Sequence, residues 1–140
     1  MILALVVFVL VLLADQVTKS LVVARLEEGA ATAGVWYGIR LRHVANRRRP
    51  WNTKAGVRWM AVALVLFIAA GGGFTSLIDE PRMYVGLGAL VGGAAGNLLD
   101  GFNRKAVTDF IDLRVWPVFN FADAAIVAGA SMMLWELARL

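Results

Sequence analysis

The sequence predicts an all-helical membrane protein, a bundle of four spanning helices with one small β element at the membrane surface. Of the residues, 60% are hydrophobic and 17% are charged, and the mean hydropathy is +0.71. Soluble domains have about 45–50% apolar and about 25% charged residues. Four apolar segments are long enough to span a bilayer or nearly so. We therefore expect a single integral membrane domain over 1–140, with helices at about 1–22, 57–74, 82–100 and 119–138 and a β-containing connection at about 30–50.

The first segment is uncharged over its first fourteen residues and then contains Asp15 and Lys19. It lacks the basic region and small-residue cleavage site of a secretory signal peptide, so we expect a retained spanning helix. Four residues apart, Asp15 and Lys19 share a helix face and can offset each other's desolvation. Two interpretations stay open: the pair marks the helix end among the head groups, or it belongs to a functional site.

The connection after the first helix is the one candidate for β structure. Residues 34–44 alternate between apolar and polar positions, the period of a half-solvated strand. Asn46 is followed by three arginines, Arg47 to Arg49, and by Trp51, which suits the interfacial zone, although a plain basic loop would look similar. We interpret His43 as an ordinary strand histidine.

Glycines shape the second and third apolar segments. Three of them, residues 71–73, indicate the end of the second helix. In the third segment Gly88, Gly92 and Gly96 recur every four residues, a pattern that lets a neighbouring helix backbone come close. Such packing would present the polar end of this helix to the bundle interior.

Polar residues interrupt the C-terminal half in a repeated pattern. An Asn-x-x-Asp pair occurs twice, with two further aspartates between, at Asn97, Asp100, Asp109, Asp112, Asn120 and Asp123. Two carboxylates close together in a low-dielectric site share a proton, so one can act as a base on water while the other acts as an acid.

Our candidates for this pair are Asp109 and Asp123. Asp100 and Asp112 could equally be structural acceptors that cap helix ends or pair with Arg104 and Arg114. Spacing alone does not rank the four aspartates.

Composition excludes several other chemistries. The chain has no cysteine and one histidine, which rules out disulfides, thiolate sites and the HExxH zinc motif, and we expect no metal. The net charge is +4, but no soluble domain is present to carry a nucleic-acid site. The basic residues are better suited to lipid head groups.

Four runs of the chain together resemble the motifs of signal peptidase II, the lipoprotein signal peptidase. ADQVTK, GGAAGNLLD, VTDFID and FNFADAAI resemble D-x-x-T-K, G-N-x-x-D-R, V-V-D-F and F-N-x-A-D, in order and over the whole chain. The resemblance implies that Asp109 and Asp123 are catalytic. It gives supporting places to Asp15, Lys19, Asn97, Asp100, Asn120 and Ala122.

The resemblance also implies a reaction and its setting. Signal peptidase II cleaves on the N-terminal side of a diacylglyceryl-modified cysteine in a bacterial prolipoprotein, at the outer face of the cytoplasmic membrane and without metal. We therefore expect an intramembrane aspartyl endopeptidase with no cofactor. It would act as a monomer among membrane lipids, with the β element as a cradle at the outer surface.

Two positions depart from the family motifs. The arginine of G-N-x-x-D-R is replaced by Gly101, and Arg104, about one turn later, is the candidate substitute. The family's N-x-G-A-A-F cradle segment would fall at Asn46, a supporting residue, but continues here with arginines. Our hypothesis is a divergent member whose cradle arginines engage lipid or substrate phosphate.

The distribution of basic residues favours an orientation in the membrane opposite to the one that the family resemblance implies. Most of the 14 Lys and Arg residues lie in the first and third connections or at their edges, which the positive-inside rule would place in the cytoplasm. They are Arg25, Arg40, Arg42, Arg47, Arg48, Arg49, Lys54, Arg58, Arg104, Lys105 and Arg114. The family places these connections outside, and we follow it because arginines around an anionic lipid site would distort the count.

Two functions of other classes stay open. A non-catalytic family member would bind lipidated or apolar segments without cutting them, although two buried carboxyls are costly for such a module. A proton or ion carrier would line a path across the bilayer with acids, whereas these acids gather at helix ends on one side.

Replacing the cradle arginines tests the substrate-handling hypothesis. Arg48→Ala and Arg49→Ala are expected to weaken the affinity for a lipidated prolipoprotein, because each removes a cation that would meet phosphate. The measurement is the equilibrium binding of the purified substrate in detergent. Unchanged affinity in both variants would contradict the hypothesis.

Overall fold

A computed structural model describes most of the chain, namely residues 1–32, 38–47, 56, 58, 61–65, 68, 71–73 and 80–139. The elements are α1 (Ile2–Arg25), β1 (Arg40–Asn46), α2 (Pro81–Asn103), β2 (Val107–Asp112) and α3 (Phe121–Leu137). The described residues between 56 and 73 are also helical.

Three of the expected helices correspond to α1, α2 and α3. The first two run three residues further than predicted, to Arg25 and Asn103. The predicted helix at 57–74 falls partly outside the described residues. Its three glycines, 71–73, are helical rather than beyond a helix end.

Two of the described helices, α1 and α2, are long and apolar enough to cross a membrane. Most exposed residues of α1 are apolar, such as Ile2 and Leu5, while Asp15 and Lys19 are fully buried. This is the reverse of a soluble helix and suits a lipid environment. α3 has 17 residues, and the count of four spanning helices stays a prediction.

Glycines allow α2 to pack closely on both neighbours. Gly88 and Gly92 face α1, where a β-carbon at Gly92 would lie 2.9 Å from the carbonyl oxygen of Phe8. On the other side, a β-carbon at Gly93 would lie 2.5 Å from the carbonyl oxygen of Ala122 in α3. The expected small-residue packing is thus present, and it brings the polar end of α2 against both helices.

The two strands form an antiparallel pair in which Val44 lies opposite Asp109 and Asn46 lies opposite Val107. The register shifts between Leu41 and Val44. Within the described residues the predicted strand begins at Arg40, and residues 33–37 lie outside them.

β2 is not among the predicted elements, since it lies in the connection between the helices expected at 82–100 and 119–138. Five of its six residues are buried, so the strand is covered on both faces. Such a strand has no alternation of apolar and polar residues to reveal it.

Exchanging two helical glycines for alanine tests this packing. Gly93→Ala is expected to destabilise the protein by about 1–3 kcal/mol, because the added methyl group overlaps Ala122. Gly72→Ala is the matched control, since a β-carbon added there meets no neighbouring atom within 4 Å among the described residues. Alanine also favours a helix over glycine by about 1 kcal/mol. The measurement is the melting temperature in detergent. Equal melting temperatures in the two variants would contradict close contact at Gly93.

Candidate active site

The polar residues predicted from the sequence meet at one end of the bundle. The second half of α1, the C-terminal end of α2, the two strands and the N-terminus of α3 each contribute to this cluster. The predicted members that it brings together are Asp15, Lys19, Asn46, Asn97, Asp100, Asp109, Asn120, Ala122 and Asp123.

Lys19 lies at the centre of the cluster and is fully buried. Its Nζ is 2.8 Å from Oδ2 of Asp15 and 3.2 Å from Oδ2 of Asp100. It also donates to Oδ1 of Asn97 at 2.9 Å. The Asp15–Lys19 pair therefore lies in the interior of the cluster, and α1 continues beyond it to Arg25.

Asp15 connects α1 to α3 through the backbone. Its Oδ1 accepts the N–H of Ala122 at 3.0 Å. This N–H is in the first turn of α3, where helix amides lack an intrahelical partner, so the carboxylate satisfies it. Ala122 is fully buried, and its contacts with Asp15 and Gly93 are made by its backbone amide and carbonyl groups.

Asp100 connects α2 to β2. Its Oδ2 accepts the N–H of Thr108 at 3.0 Å, and its Oδ1 pairs with the guanidinium of Arg104. Both oxygens of this fully buried carboxylate are therefore used by cations and an amide. Asp100 thus makes the contacts of a structural acceptor, one of the alternatives that the sequence leaves open, including the pairing with Arg104.

Asp109 and Asp123 are joined through asparagines. Asn120 donates from Nδ2 to Oδ1 of Asp109 at 2.8 Å and to Oδ1 of Asn97 at 3.1 Å. Asn97 in turn donates from Nδ2 to Oδ1 of Asp123 at 2.9 Å. On the other side, Asn46 of β1 donates to Oδ2 of Asp109 at 3.0 Å. The carboxamides hold the two carboxylates in one connected network.

Asn120 also begins α3, which corrects the expectation that it lies within that helix. It is the N-cap, accepting the N–H of Asp123 at 2.9 Å, and its own N–H donates to Oδ2 of Asp123 at 3.4 Å. This capping box fixes Asn120 relative to Asp123. The same residue thus sets the helix start and contacts Asp109.

Asp112 is set apart from the cluster by its own partners. Nε of Arg40 lies 2.6 Å from its Oδ2, and the N–H of Arg114 donates to its Oδ1 at 2.8 Å. The Arg40 hydrogen bond, followed by that from Arg114, holds the pKa of Asp112 below its usual range. The expected Arg114 pairing is therefore made through the backbone, and Asp112 is a fixed anion of the sheet.

Two contacts escaped the sequence interpretation. Gln16 donates to Oδ2 of Asp15 and to the carbonyl oxygen of Gly96, both at 3.1 Å, and so ties α1 to α2. Its position directly after Asp15 was the available signal. Arg47 pairs with Glu28, whose Oε2 lies 2.8 Å from Nη2, whereas Arg48 and Arg49 lie outside the described residues.

An apolar cavity of about 470 Å³ lies beside the cluster, between α1 and the sheet. Its lining includes Thr18, Leu21, Val22, Leu26, Leu41 and Phe110. Phe110 follows Asp109 in β2, so the cavity reaches the strand that carries this aspartate. Among the residues that the structure describes, no group of three or more His, Asp or Glu side chains is placed to hold a metal ion.

The fold is that of solved membrane enzymes. Two structures titled bacterial membrane enzymes, determined at 1.9 and 2.3 Å, both superpose with a TM-score of 0.81. They are 23% and 22% identical, and the matches cover 96% and 97% of this chain and 91% and 87% of theirs. At this level of identity the likeness concerns the fold alone.

Sequence comparisons identify the family. Residues 7–139 match the family model described as signal peptidase (SPase) II. A lipoprotein signal peptidase from Pelotomaculum thermopropionicum is 36% identical over 94% of this chain and 89% of its own length, and one from Syntrophomonas wolfei is 34% identical over 91% and 87%. The chain belongs to the signal peptidase II family, which is a family of proteases.

Removing the central cation tests the cluster. Lys19→Met is expected to destabilise the protein by about 3–5 kcal/mol, because it leaves Asp15 and Asp100 buried without their shared ammonium. The measurement is the free energy of unfolding in detergent.

Arg47→Met is the matched control for this change. It breaks an exposed ion pair with Glu28, and exposed pairs contribute little. Equal stability of the two variants would show that Lys19 does not hold the cluster together.

Proposed function

We propose that the protein is an intramembrane aspartyl endopeptidase that removes the signal peptide from diacylglyceryl-modified prolipoproteins. Cleavage would occur on the N-terminal side of the lipidated cysteine. The observation that carries the proposal is the network through which Asn120 and Asn97 join Asp109 to Asp123. Membership of the signal peptidase II family supports the substrate class.

The two aspartates are suited to acid–base catalysis of peptide hydrolysis. In a site of low dielectric constant, two neighbouring carboxyl groups share a proton, so one accepts a proton from water while the other donates to the scissile carbonyl. Water then attacks the carbonyl carbon, and the proton passes to the leaving amine. Asp109 is buried and Asp123 is partly exposed, which leaves the second carboxyl accessible to water and substrate.

The asparagines orient the carboxyl groups for this reaction. Asn46 and Asn120 donate to different oxygens of Asp109, so its carboxyl plane is fixed from both sides. Asn97 of α2 donates to Oδ1 of Asp123, and the backbone N–H of Asn120 donates to its Oδ2 in the capping box. Fixed catalytic groups spare the reaction the cost of ordering them in the transition state.

The surroundings suit a lipidated substrate in a membrane. Most of the exposed surface of α1 is apolar, and the cavity between α1 and the sheet offers an apolar site for a signal-peptide side chain or an acyl chain. By analogy with the family, the polar end of the bundle would face the outer leaflet of the bacterial cytoplasmic membrane. The protein would act there as a monomer.

Substitution of the two aspartates tests the proposal. Asp109→Asn and Asp123→Asn are each expected to lower the rate of cleavage of a purified diacylglyceryl-modified prolipoprotein by about 10²–10⁴-fold, because neither carboxamide can exchange a proton. Cleavage in lipid or detergent is followed by the mass of the product.

Asp112→Asn is the matched control, since it changes the same kind of residue in the same strand. Asp112 pairs with Arg40, outside the network, so most activity should remain. A folded parent that binds the substrate without cutting it would indicate a non-catalytic binding protein, and full activity in either catalytic variant would contradict the assignment of the pair.

A further inference from the structure

Arg104 lies just after α2 and reaches two elements of the site. Its backbone N–H donates to the carbonyl oxygen of Asp100 at 2.8 Å, and its Nη1 pairs with the side chain of the same residue. Its Nη2 contacts Oγ of Ser20 in α1 at 3.3 Å. The Arg104 side chain is 30% exposed and that of Asp100 is fully buried, so the cation covers Asp100 from the outside.

Asp100, the partner of Arg104, is hydrogen-bonded to the strand that carries Asp109. Oδ2 of Asp100 accepts the N–H of Thr108, the residue directly before Asp109. Thr108 is buried, and this hydrogen bond ties the start of β2 to the end of α2. An arginine that fixes the carboxylate plane of Asp100 therefore acts on the position of Asp109 through one residue.

Charge gives Arg104 a second effect. The supporting part of the cluster contains two carboxylates, Asp15 and Asp100, and two cations, Lys19 and Arg104. With both cations present, this part is neutral. Loss of Arg104 would leave one uncompensated negative charge beside Asp109 and Asp123, and a like charge disfavours ionisation of a carboxyl group.

Lys19 connects the supporting carboxylates to the hydrogen-bond network of Asp109 and Asp123. Its Nζ contacts both supporting carboxylates and also Asn97, which donates to Asp123. Among the described residues of the two strands, the remaining charged or titratable groups are Arg42, His43 and the Arg40–Asp112 pair. Nδ1 of His43 is 2.8 Å from the carbonyl oxygen of Leu26.

We propose that Arg104 is a positioning residue for the peptidase reaction, which holds Asp100 against β2 and keeps the buried charge beside the aspartates balanced. This inference rests on the proposed function. It gives Arg104 a role that follows from its contact with Asp100, and it predicts a change in the pH dependence of the reaction that a purely structural arginine would not cause.

The test is the pH profile of kcat/KM for cleavage of a lipidated prolipoprotein by Arg104→Gln, Arg104→Lys and the parent. In the Gln variant the added net negative charge favours the protonated carboxyls, so the acid limb should move to higher pH by about half a unit to one unit. Arg104→Lys keeps the charge and should keep the parent profile. His43 is present in every variant.

A double variant separates charge from packing. Asp100→Asn together with Arg104→Gln removes one charge of each sign, so the profile should return toward that of the parent even where kcat stays lower. If Arg104→Gln does not fold, Asp100→Asn alone decides the question: it leaves the cluster with one net positive charge, so the acid limb should move to lower pH, and an unmoved limb would overturn the inference.

Arg82→Gln is the matched control. Nη1 of Arg82 lies 3.1 Å from Oε1 of the buried Glu136, at the opposite end of the bundle. Its loss therefore also removes the partner of a buried carboxylate, but far from the site. An Arg104→Gln profile identical to those of the parent and of Arg82→Gln would overturn the inference, as would a loss of kcat without a shift. A parent that does not cleave, or an Asp109→Asn variant that does, would instead refute the proposed function.

Discussion

The buried ammonium of Lys19 is the interaction on which the site depends. It contacts Asp15, Asp100 and Asn97, so one cation joins α1 to α2 and orders the groups on both. Burying an ion costs several kcal/mol unless its partners are well placed. The partners must therefore stay within hydrogen-bonding distance, which requires the helix backbones to be close. The glycines of α2 provide that proximity: Gly96 lies directly against the Asp15 carboxylate. Packing and charge thus impose the same arrangement on the two helices.

The positions of the catalytic candidates, Asp109 and Asp123, depend on this arrangement. Asn97 accepts from Lys19 and donates to Asp123, while Asn120 caps α3 and donates to Asp109. Carboxamides can do both because each carries an acceptor and two donors. They connect the charged part of the cluster to the aspartates without adding charge, as the proposed reaction requires of its two carboxyl groups.

Many residues of the cluster could be predicted from the sequence, because charged and carboxamide side chains are costly to place in apolar segments and usually have a function there. The Asp15–Lys19 spacing and the repeated Asn-x-x-Asp pair indicate most members of the cluster, whereas Asn46 and Ala122 follow only from the family resemblance. The identity of partners could not be predicted: Asp112 pairs with Arg40, which is distant in sequence, and β2 is covered on both faces and shows no alternation. The role of Asn120 as a cap was also missed, because apolar residues surround it and obscure the helix start.

The replacement at Gly101 shows why spacing decides what an arginine can do. Consecutive residues of a helix point about 100° apart, whereas residues four apart lie nearly above one another. An arginine at position 101 would therefore leave the face of Asp100, and Arg104 lies on it. Position 101 is buried, and its glycine has no side chain to accommodate. The charge that the family motif places next to its aspartate is found here one turn later, in direct contact with Asp100 and, through Thr108, with the strand of Asp109.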